Sequence, residues 1–385
     1  MGKEKTVLVV LGTRPEAIKL SPLVLAGRER PGLKMVLCNT GQHRQMSDQV
    51  LDLFELSADF DLNIMRPEQT LTSITVDILT NMQECLDACR PDWVVVQGDT
   101  TTSFAAALAA FYRKIPVAHV EAGLRTGNIY APWPEEMNRR LVSELASLHF
   151  PPTKQAAKNL RAEGIEQSRM LITGNTGIDA LKWLIGRLAT DQSLRERALK
   201  ALNQAGVDTG TSEADKPYVL VTCHRRESFG EGLQMIFTAI AKLAEAFPGY
   251  NFVYPVHPNP RVRETAKVFL GHGMANVKLI EPLDYLPFVH LMSRADLILT
   301  DSGGIQEEAP SLGKRVIVLR DETERTEGLE TGLIRLAGTN AEKIIAFVED
   351  ALLGRWDCNG KGCDVYGDGQ SSLRILDAIT AYSHS

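Results

Sequence analysis

Two glycine-rich nucleotide-binding motifs are missing from this sequence. It contains neither the dinucleotide fingerprint G-x-G-x-x-G nor the phosphate-binding motif G-x-x-x-x-G-K-[ST]. In both motifs, glycines let the backbone approach phosphate oxygens at the start of a helix. Their absence counts against nicotinamide-dependent and ATP-dependent chemistry, and we expect no redox cofactor.

Cysteine is sparse, with six residues in a chain of 385. Only two pairs lie close in sequence, Cys85 with Cys89 and Cys358 with Cys363. A tetrahedral metal site needs a second Cys or His pair, and neither pair has one to complete it. We therefore expect reduced thiols and no bound metal.

An excess of positive charge and long apolar runs are also missing. The chain has 42 Lys and Arg residues against 48 Asp and Glu residues, a formal net charge of -6. This balance provides no broad positive field for nucleic acid or an anionic membrane. The apolar run near the N-terminus stops at Gly12 and is too short for a signal peptide or a membrane-spanning helix. These features predict a cytoplasmic protein without nucleic-acid or membrane partners.

What is present is an alternation of short apolar runs with helix-like segments. Apolar residues make up 44% and charged residues 23% of the chain, as in ordinary globular proteins, and 385 residues favour two domains. Such alternation is typical of parallel strands joined by crossover helices. The pattern predicts an α/β protein of two doubly wound lobes. The predicted strands are 6–11, 35–38, 93–97, 117–120 and 170–173 and, after a polar loop at 208–216, 218–222, 251–256, 277–280, 297–300 and 316–319.

Residues directly after the apolar runs are the candidates for function, because ligands of open α/β sheets bind beyond the carboxyl ends of the strands. The first run is followed by a loop in which Thr13 and Glu16 have the spacing of a helix capping box. Arg14 would then lie in the first helical turn, where its guanidinium and the helix dipole both favour a phosphate. A solvated loop arginine is the alternative.

Carboxylates follow the next runs of the first lobe. Asp99 comes after the third predicted strand, either as a helix N-cap or as a reactive acid, and Glu121 comes after the fourth. The following loop contains Glu135 and Glu136 beside Trp133 and two prolines. A single loop acid is usually solvated, but the tryptophan and the prolines predict a fixed, partly dry setting in which a carboxyl can act as acid or base.

The second lobe has two candidate anion sites. One strand runs into His224, and although a lone histidine is weak evidence, the two arginines that follow predict a local anion site. A similar strand end carries His257, which is a weaker candidate because nothing basic accompanies it.

The second candidate anion site follows another strand, which leads into residues 301–304 and a helix with Glu308. Here two glycines allow close backbone approach, the amides of the helix start are suited to phosphate oxygens, and Glu308 would accept from ribose hydroxyls. The alternative is a plain Gly-Gly turn before a charged helix face.

Together these motifs resemble the non-hydrolysing UDP-N-acetylglucosamine 2-epimerases. The resemblance implies two Rossmann-like lobes of the glycosyltransferase B type, residues 1–177 and 178–369, with an active-site cleft between them. A C-terminal helix at 370–385 would return to the first lobe. It also implies a UDP-sugar substrate, no cofactor and a homodimer. The resemblance spans nearly the whole chain and is carried by Gly12 to Lys19, Gln42 to Arg44, Gly98 to Thr100, His119 to Arg125, Pro132 to Glu136, His224 to Glu227, Asp301 to Gly313 and Tyr366 to Gly369.

The resemblance also implies roles for individual residues. The implied catalytic group is Asp99, Glu121, Glu135 and His224. The implied UDP site is Arg14, Lys19, Phe288, Ser302, Gly303, Gly304, Glu308 and Arg325. A regulatory substrate position in bacterial members would be lined by Gln42, His43 and Glu136.

Two positions depart from the family pattern. Cys223 stands where a glycine is expected before the histidine, and Thr326 stands where a proline is expected after Arg325. The cysteine would crowd the base of the site, and the threonine would loosen the loop that carries Arg325. Neither departure removes a functional group.

The implied reaction inverts carbon 2 of the sugar, which has no adjacent carbonyl to acidify its proton. Loss of UDP from carbon 1 together with that proton gives a glycal, and re-addition with protonation on the other face gives the epimer. Groups that transfer protons are then needed on both faces of carbon 2. The rival readings are a hydrolysing epimerase that releases N-acetylmannosamine and UDP, an epimerase of a related UDP-acetamido sugar, a transferase of the same fold, and an inactive sugar-nucleotide sensor.

Overall fold

The computed structural model describes residues 4–207, 216–271, 273–358 and 362–382, apart from the side chain of Arg226. Residues 208–215 of the predicted polar loop and 383–385 of the predicted C-terminal segment lie outside this description. The chain forms two compact units, Met1–Trp183 with Tyr366–Ser385, and Leu184–Val365. The predicted border at 177 falls inside the helix Thr176–Thr190, which both units share. Because this helix is continuous across the border, the alternation pattern does not reveal where one unit ends.

The first unit is built on a parallel sheet with the strand order β3-β2-β1-β4-β5-β6. Its central strands are runs of valine and leucine that are buried almost completely, as expected for strands covered by helices on both faces. In chain order the elements are β1 (Lys5–Leu11), α1 (Arg14–Arg28), β2 (Leu33–Asn39), α2 (Arg44–Leu53), β3 (Phe60–Asp61), α3 (Leu71–Cys89), β4 (Trp93–Gln97), α4 (Thr101–Tyr112), β5 (Val117–Val120), α5 (Glu135–Leu145), β6 (Leu148–Phe150), α6 (Lys154–Ala162) and α7 (Thr176–Thr190).

The second unit has the same architecture, with a parallel sheet in the order β12-β11-β10-β7-β8-β9. The expected pair of doubly wound α/β lobes is therefore confirmed. None of the described helices has both the length and the apolar composition needed to cross a membrane. The remaining elements are α8 (Gln192–Gln204), β7 (Tyr218–Thr222), α9 (Glu231–Ala246), β8 (Asn251–Pro255), α10 (Pro260–Leu270), β9 (Val277–Ile280), α11 (Tyr285–Arg294), β10 (Leu297–Thr300), α12 (Gly303–Ser311), β11 (Arg315–Val318), α13 (Thr326–Leu329), β12 (Ile334–Leu336), α14 (Ala341–Leu352) and α15 (Ser371–Ala381).

The strand order places the functional loops. In each sheet the order reverses beside the first strand, between β1 and β4 and between β7 and β10. The crevice outside the carboxyl ends at such a switch point is where ligands bind in doubly wound folds. Arg14 and Asp99 follow the strands at the first switch point, and His224 and Asp301 follow those at the second.

Four strand assignments from the sequence need correction. The predicted strand at 170–173 is wrong, because only Met170 pairs, as an isolated bridge to His149. Three real strands were missed, namely β3, β6 and β12, which are two, three and three residues long. Such short runs carry too few residues for an apolar pattern to be read.

The C-terminal helix α15 packs beside α1 of the first unit. At its start, the carboxylate of Asp179 accepts from the backbone N–H groups of Ser371 at 3.2 Å and Ser372 at 2.6 Å. At its end, Nζ of Lys5 donates to the carbonyls of Thr380 at 2.8 Å and Tyr382 at 2.9 Å. Both contacts satisfy groups that a helix end leaves unpaired. They attach residues 371–382 to the first unit, the arrangement that the resemblance implies.

Candidate active site

A buried carboxylate organises the loop after β1. Glu16 is fully buried, and Oε2 accepts from the backbone N–H groups of Gly12 at 3.0 Å and Thr13 at 2.8 Å. Its Oε1 accepts from the hydroxyls of Thr100 at 2.6 Å and Ser103 at 2.9 Å, at the start of α4. The predicted capping box is confirmed, and Glu16 in addition ties this loop to α4. Burial raises the pKa of Glu16, against the opposing effect of its hydrogen bonds.

Two cations lie on α1. Arg14 is the first residue of the helix and is half-buried, and its side chain has no hydrogen-bond or ion-pair partner in the described part of the chain. Lys19 lies further along the helix and donates from Nζ to Oε2 of Glu121. Arg14 is therefore available to an external anion, whereas the protein itself engages Lys19.

Glu121 directly follows β5 and is only 7% exposed. Its Oε2 accepts from Nε2 of Gln97, the last residue of β4, in addition to Lys19. Its φ of 59° lies in the left-handed region, which costs energy for a residue with a side chain and is often found at functional sites. Two donors therefore fix one carboxylate oxygen. Gln97 was not predicted, and its place at the end of the neighbouring strand was the only available signal.

Asp99 is held by residues of α5. Its Oδ2 accepts from two nitrogens of the Arg139 guanidinium, with Nε at 3.1 Å, and its carbonyl accepts from Nδ2 of Asn138 at 2.9 Å. The helix N-cap is instead Thr100, whose hydroxyl accepts from the backbone N–H of Ser103 at 3.0 Å. The N-cap alternative for Asp99 is therefore wrong. Arg139, like Gln97, was missed from the sequence because a pairing partner in another element carries no local signature.

Glu135 and Glu136 begin α5 in different surroundings. Glu135 is half-buried, and its carboxylate has no hydrogen-bond or ion-pair partner among the residues described. Glu136 is fully buried and accepts from the backbone N–H of Thr126 at 3.1 Å and from Arg139 at 3.2 Å. Glu136 thus anchors the preceding loop to α5. The predicted partly dry setting holds for Glu136, but Trp133 does not provide it, because its side chain is 63% exposed.

Gln42 and His43 follow β2 and lie beside the loop of Gly12. Oε1 of Gln42 accepts from the hydroxyl of Thr102 on α4 at 2.8 Å. The backbone N–H of His43 donates to the carbonyl of Gly12 at 2.7 Å. Desolvation lowers the pKa of the His43 ring. Both residues therefore lie at the same strand-end edge of the first sheet as Arg14 and Asp99.

In the second unit, Asp301 determines where His224 lies. Thr222 at the end of β7 pairs with Thr300 at the end of β10, so the residues that follow meet. Asp301 is fully buried, and its Oδ2 accepts from the backbone N–H groups of His224 at 2.6 Å and Arg225 at 2.7 Å. Its Oδ1 lies 3.4 Å from Nδ1 of His224. The sequence placed Asp301 in a glycine-containing turn and did not reveal this pairing.

The ring of His224 also stacks on His257, with ring centroids 5.0 Å apart and planes within 8°. Burial, together with the neighbouring His224, lowers the pKa of His257. In the sequence, His257 is a weaker candidate than His224 because no basic residue accompanies it. Its function as a stacking partner depends on β7 and β8 being adjacent, which the sequence alone does not reveal.

The turn after β10 opens α12 and meets Arg325. Ser302 is the N-cap of α12, and Gly303 and Gly304 form its first positions. The Arg325 guanidinium packs against Gly303, since a Cβ at that position would lie 3.0 Å from Arg325 Cζ. Nε of Arg325 donates to Oε1 of Glu307 at 2.9 Å. Two separate predicted UDP-site segments therefore come together here.

The remaining predicted positions lie on three helices. Glu308 is half-buried on α12, and Phe288 is half-buried on α11. Thr326 begins α13, and Arg325 beside it keeps its ion pair with Glu307. Cys223 is buried close to Asp301, and burial, with the nearby carboxylate, raises the pKa of its thiol.

Contacts within each unit thus connect some of the site residues that were predicted from the sequence. In the first unit, β4 carries the donor to Glu121 and leads into Asp99. In the second, Asp301 joins His224 to the turn at 302–304. No side-chain hydrogen bond or ion pair in the described ranges attaches Arg14 or Glu135 to either group. Two doubly wound parallel sheets, one with an acid-rich strand edge and the other with a glycine-containing helix start, define a two-lobed protein of the glycosyltransferase B type.

Comparison with known proteins identifies the family. The family model described as UDP-N-acetylglucosamine 2-epimerase matches residues 25–380. The UDP-N-acetylglucosamine 2-epimerase of Escherichia coli strain K12 is 51% identical over 375 residues, which cover 97% of this chain and 98% of that protein. The chain belongs to the UDP-N-acetylglucosamine 2-epimerase family.

Solved structures agree with this assignment. The crystal structure of UDP-GlcNAc 2-epimerase from Neisseria meningitidis bound to UDP-GlcNAc is similar with a TM-score of 0.87 and 45% identity, covering 98% of this chain and 100% of that one. The Methanocaldococcus jannaschii UDP-GlcNAc 2-epimerase in complex with UDP-GlcNAc and UDP has a TM-score of 0.78 and 34% identity, covering 97% and 99% of the two chains.

Proposed function

We propose that this protein interconverts UDP-N-acetylglucosamine and UDP-N-acetylmannosamine without hydrolysis, by eliminating UDP and adding it back. The observation that carries the proposal is the pair of strand-end carboxylates Asp99 and Glu121. They follow the adjacent strands β4 and β5, and each is fixed by a cation, Arg139 and Lys19. The relatives named as UDP-N-acetylglucosamine 2-epimerases support the choice of substrate.

The chemistry explains why fixed acids are needed. Carbon 2 carries an amide nitrogen and has no neighbouring carbonyl, so its proton is not acidic in the ground state. When the bond between carbon 1 and the UDP oxygen breaks, carbon 1 gains positive character and the proton on carbon 2 becomes acidic. Removal of that proton gives the N-acetylated glycal and UDP. Re-addition of UDP at carbon 1, with protonation of carbon 2 from the opposite face, gives the epimer.

Proton transfer on both faces of carbon 2 requires at least two groups. Asp99, Glu121 and Glu135 are the proposed groups. Two donors engage Oε2 of Glu121, which leaves Oε1 for the substrate. Glu135 differs from both other acids in having no ion-pair partner in the described chain, so its carboxylate is unrestrained.

Departure of UDP needs positive partners for the charge that develops on its phosphate. Arg14, His224 and the backbone amides of residues 302–304 are suited to this task, because preorganised donors act without reorganisation during the reaction. Lys19, Phe288, Glu308 and Arg325 complete the proposed UDP site. Glu308 would accept from the ribose hydroxyls, and Arg325 would face the helix start where the phosphates bind.

The proposal is tested by incubating the protein with UDP-N-acetylglucosamine alone and following the products by proton NMR. We expect UDP-N-acetylmannosamine to accumulate to an equilibrium mixture that is also reached from the opposite direction. Stoichiometric release of free N-acetylmannosamine and UDP would instead identify a hydrolysing epimerase. If the protein does not react with this substrate but turns over another UDP-acetamido sugar, it is an epimerase of that related sugar instead.

We also propose that Gln42 and His43 line a second, regulatory substrate position, bordered by the loop that Glu136 anchors. Their location beside Gly12 and α4 supports the proposal. In the reverse direction, small amounts of UDP-N-acetylglucosamine should then stimulate turnover, and His43→Ala should abolish the stimulation. Gln45→Ala, at an exposed position on α2, which begins directly after His43, is the control. Hyperbolic reverse kinetics unaffected by UDP-N-acetylglucosamine would contradict the proposal.

A further inference from the structure

We infer that Asp301 is the positioning residue of His224: it holds the imidazole with its proton on Nδ1 and leaves Nε2 for the substrate. The function of His224 toward the leaving group rests on the proposed function. The tautomer itself does not, because it is a property of the ring and its neighbours.

The carboxylate of Asp301 is buried, and hydrogen bonds from the backbone fix its orientation. Its side chain is fully buried, and Oδ2 is used by the backbone N–H groups of His224 and Arg225 at 2.6 and 2.7 Å. Oδ1 is buried and makes no hydrogen bond with any described residue. The ring atom Nδ1 of His224 lies 3.4 Å from it. An unsatisfied carboxylate oxygen in a buried position costs free energy, so a proton on Nδ1 of His224 that can be donated to it is favoured.

The chemistry of these two atoms decides the tautomer. An ionised carboxylate oxygen only accepts hydrogen bonds, whereas each imidazole nitrogen is either a donor or an acceptor. A hydrogen bond from Nδ1 of His224 to Oδ1, 3.4 Å away, therefore requires the proton on Nδ1, which makes Nε2 the acceptor in the neutral ring. A carboxylate that fixes a histidine tautomer in this way is a recurring feature of catalytic and metal-binding histidines.

The other neighbours fix the ring without competing for its proton. His257 stacks on His224 with planes within 8°, which restricts rotation out of the plane. Nδ1 of His257 accepts from the backbone N–H of Asn259 at 3.2 Å and so has no proton to offer. Burial raises the pKa of the Cys223 thiol and of the Tyr254 hydroxyl, so neither adds a negative charge beside the ring. The thiol also hydrogen-bonds to Asp301, but a thiol is a weak donor, whereas an imidazole N–H is a strong one.

A purely structural function for Asp301 makes a different prediction. In that case the two backbone contacts would be its whole contribution, and the state of the His224 ring would not depend on its charge. Asp301→Asn separates the two possibilities, because the asparagine oxygen can still accept from both backbone N–H groups. Its amide nitrogen would then face Nδ1 of His224 as a donor and favour the opposite tautomer, with the proton on Nε2.

The test is nitrogen NMR of protein labelled with ¹⁵N-histidine, recorded at about pH 9, where histidine rings are uncharged. His224→Asn assigns the signal among the eight histidines of the chain. We expect the wild type to show the proton on Nδ1 and Asp301→Asn to show it on Nε2. Asp296→Asn is the matched control, because Asp296 lies just before β10 and accepts from the backbone N–H of Tyr218 at 3.0 Å. It should leave the His224 signal unchanged.

Two outcomes would overturn the inference. One is a wild-type ring with its proton on Nε2, a result that needs no variant and holds even if Asp301→Asn does not fold. The other is a folded Asp301→Asn protein whose His224 tautomer is the same as in the wild type.

Kinetics add a second measurement. With the proposed activity, Asp301→Asn should lower kcat by about 100-fold or more and change KM little, because the contact to the leaving group matters in the transition state. An Asp301→Asn protein with reversed tautomer and unchanged kcat would contradict the positioning function. A wild type without epimerase activity would contradict the proposed function instead, and the tautomer measurement would still decide this inference.

Discussion

Arg325 lies so close to Gly303 that a side chain at position 303 would push the guanidinium aside by a few tenths of an ångström. A Cβ on Gly303 would lie 3.0 Å from Cζ of Arg325, whose Nε is held by Glu307 at 2.9 Å. Glu307 and Glu324 thus hold the guanidinium of Arg325 at the start of α12, where the backbone amides of the helix start favour an anion. The position of that charge depends on residue 303 having no side chain.

Gly303→Ala should therefore weaken UDP binding by displacing Arg325, by roughly tenfold, which corresponds to about 1.4 kcal/mol. Calorimetric titration with UDP measures this change. The effect should disappear in an Arg325→Ala background, because changes that act through one shared residue are not additive. Gly186→Ala, outside the proposed UDP site, is the control for the added methyl group, since a Cβ there meets nothing within 4 Å. Equal losses of affinity with and without Arg325 would show that the added methyl group acts directly on the ligand.

The three proposed catalytic acids should each be required for turnover. Asp99→Asn, Glu121→Gln and Glu135→Gln remove a proton-transfer group without changing side-chain size, and each should lower kcat by about 100- to 10,000-fold. Glu144→Gln is the matched control, because Glu144 is exposed on the same helix as Glu135.

The same variants can separate the two steps of the reaction. A variant that releases UDP and accumulates the glycal, without forming the epimer, would identify the group that protonates carbon 2. Near-normal turnover in all three variants would contradict the assignment of the acids while leaving the family unaffected.

Much of this architecture could be predicted because it is encoded locally. The strands at 93–97, 117–120, 277–280 and 297–300 were predicted with the bounds observed, since each is an apolar run flanked by turn residues. The carboxylates that follow such strands were predicted as candidates for the same reason.

What could not be predicted depends on contacts between distant segments. Arg139 reaches Asp99 across 40 residues, and Asp301 reaches the backbone of His224 across 77. Neither pairing follows from a periodic pattern, because strand order and helix packing together determine which side chains meet. Glu136 is the instructive example: its sequence position beside Glu135 indicated a loop acid, but helix geometry turns the two side chains to different surroundings.

A buried histidine pair predicts how stability depends on pH. His119 on β5 and His149 on β6 are neighbours in the sheet and are fully buried. Burial lowers the pKa of His119 to about 4 and that of His149 to about 3. In the unfolded chain histidine titrates near pH 6.5, so below that pH the unfolded state binds protons that the folded state does not. The free energy of unfolding should therefore fall with decreasing pH, by up to about 1.4 kcal/mol per pH unit for each histidine.

Urea denaturation between about pH 7 and pH 4.5 measures this dependence, as linear extrapolation gives the free energy of unfolding at each pH. His149→Asn should show a shallower slope than the wild type, whatever its absolute stability. Burial raises the pKa values of Glu16 and Asp179, which act in the opposite direction but are common to both proteins. Identical slopes would mean that His149 does not titrate differently in the folded and unfolded states.

The most direct test of the central claim is turnover of UDP-N-acetylglucosamine in deuterium oxide, followed by proton NMR of the product. Elimination and re-addition require the hydrogen on carbon 2 to leave and another to be delivered to the opposite face. Because the proposed acids exchange their protons with solvent, the account predicts UDP-N-acetylmannosamine with deuterium at carbon 2 and at no other carbon. Epimer that accumulates with the original hydrogen on carbon 2, or with deuterium at a different carbon, would contradict it.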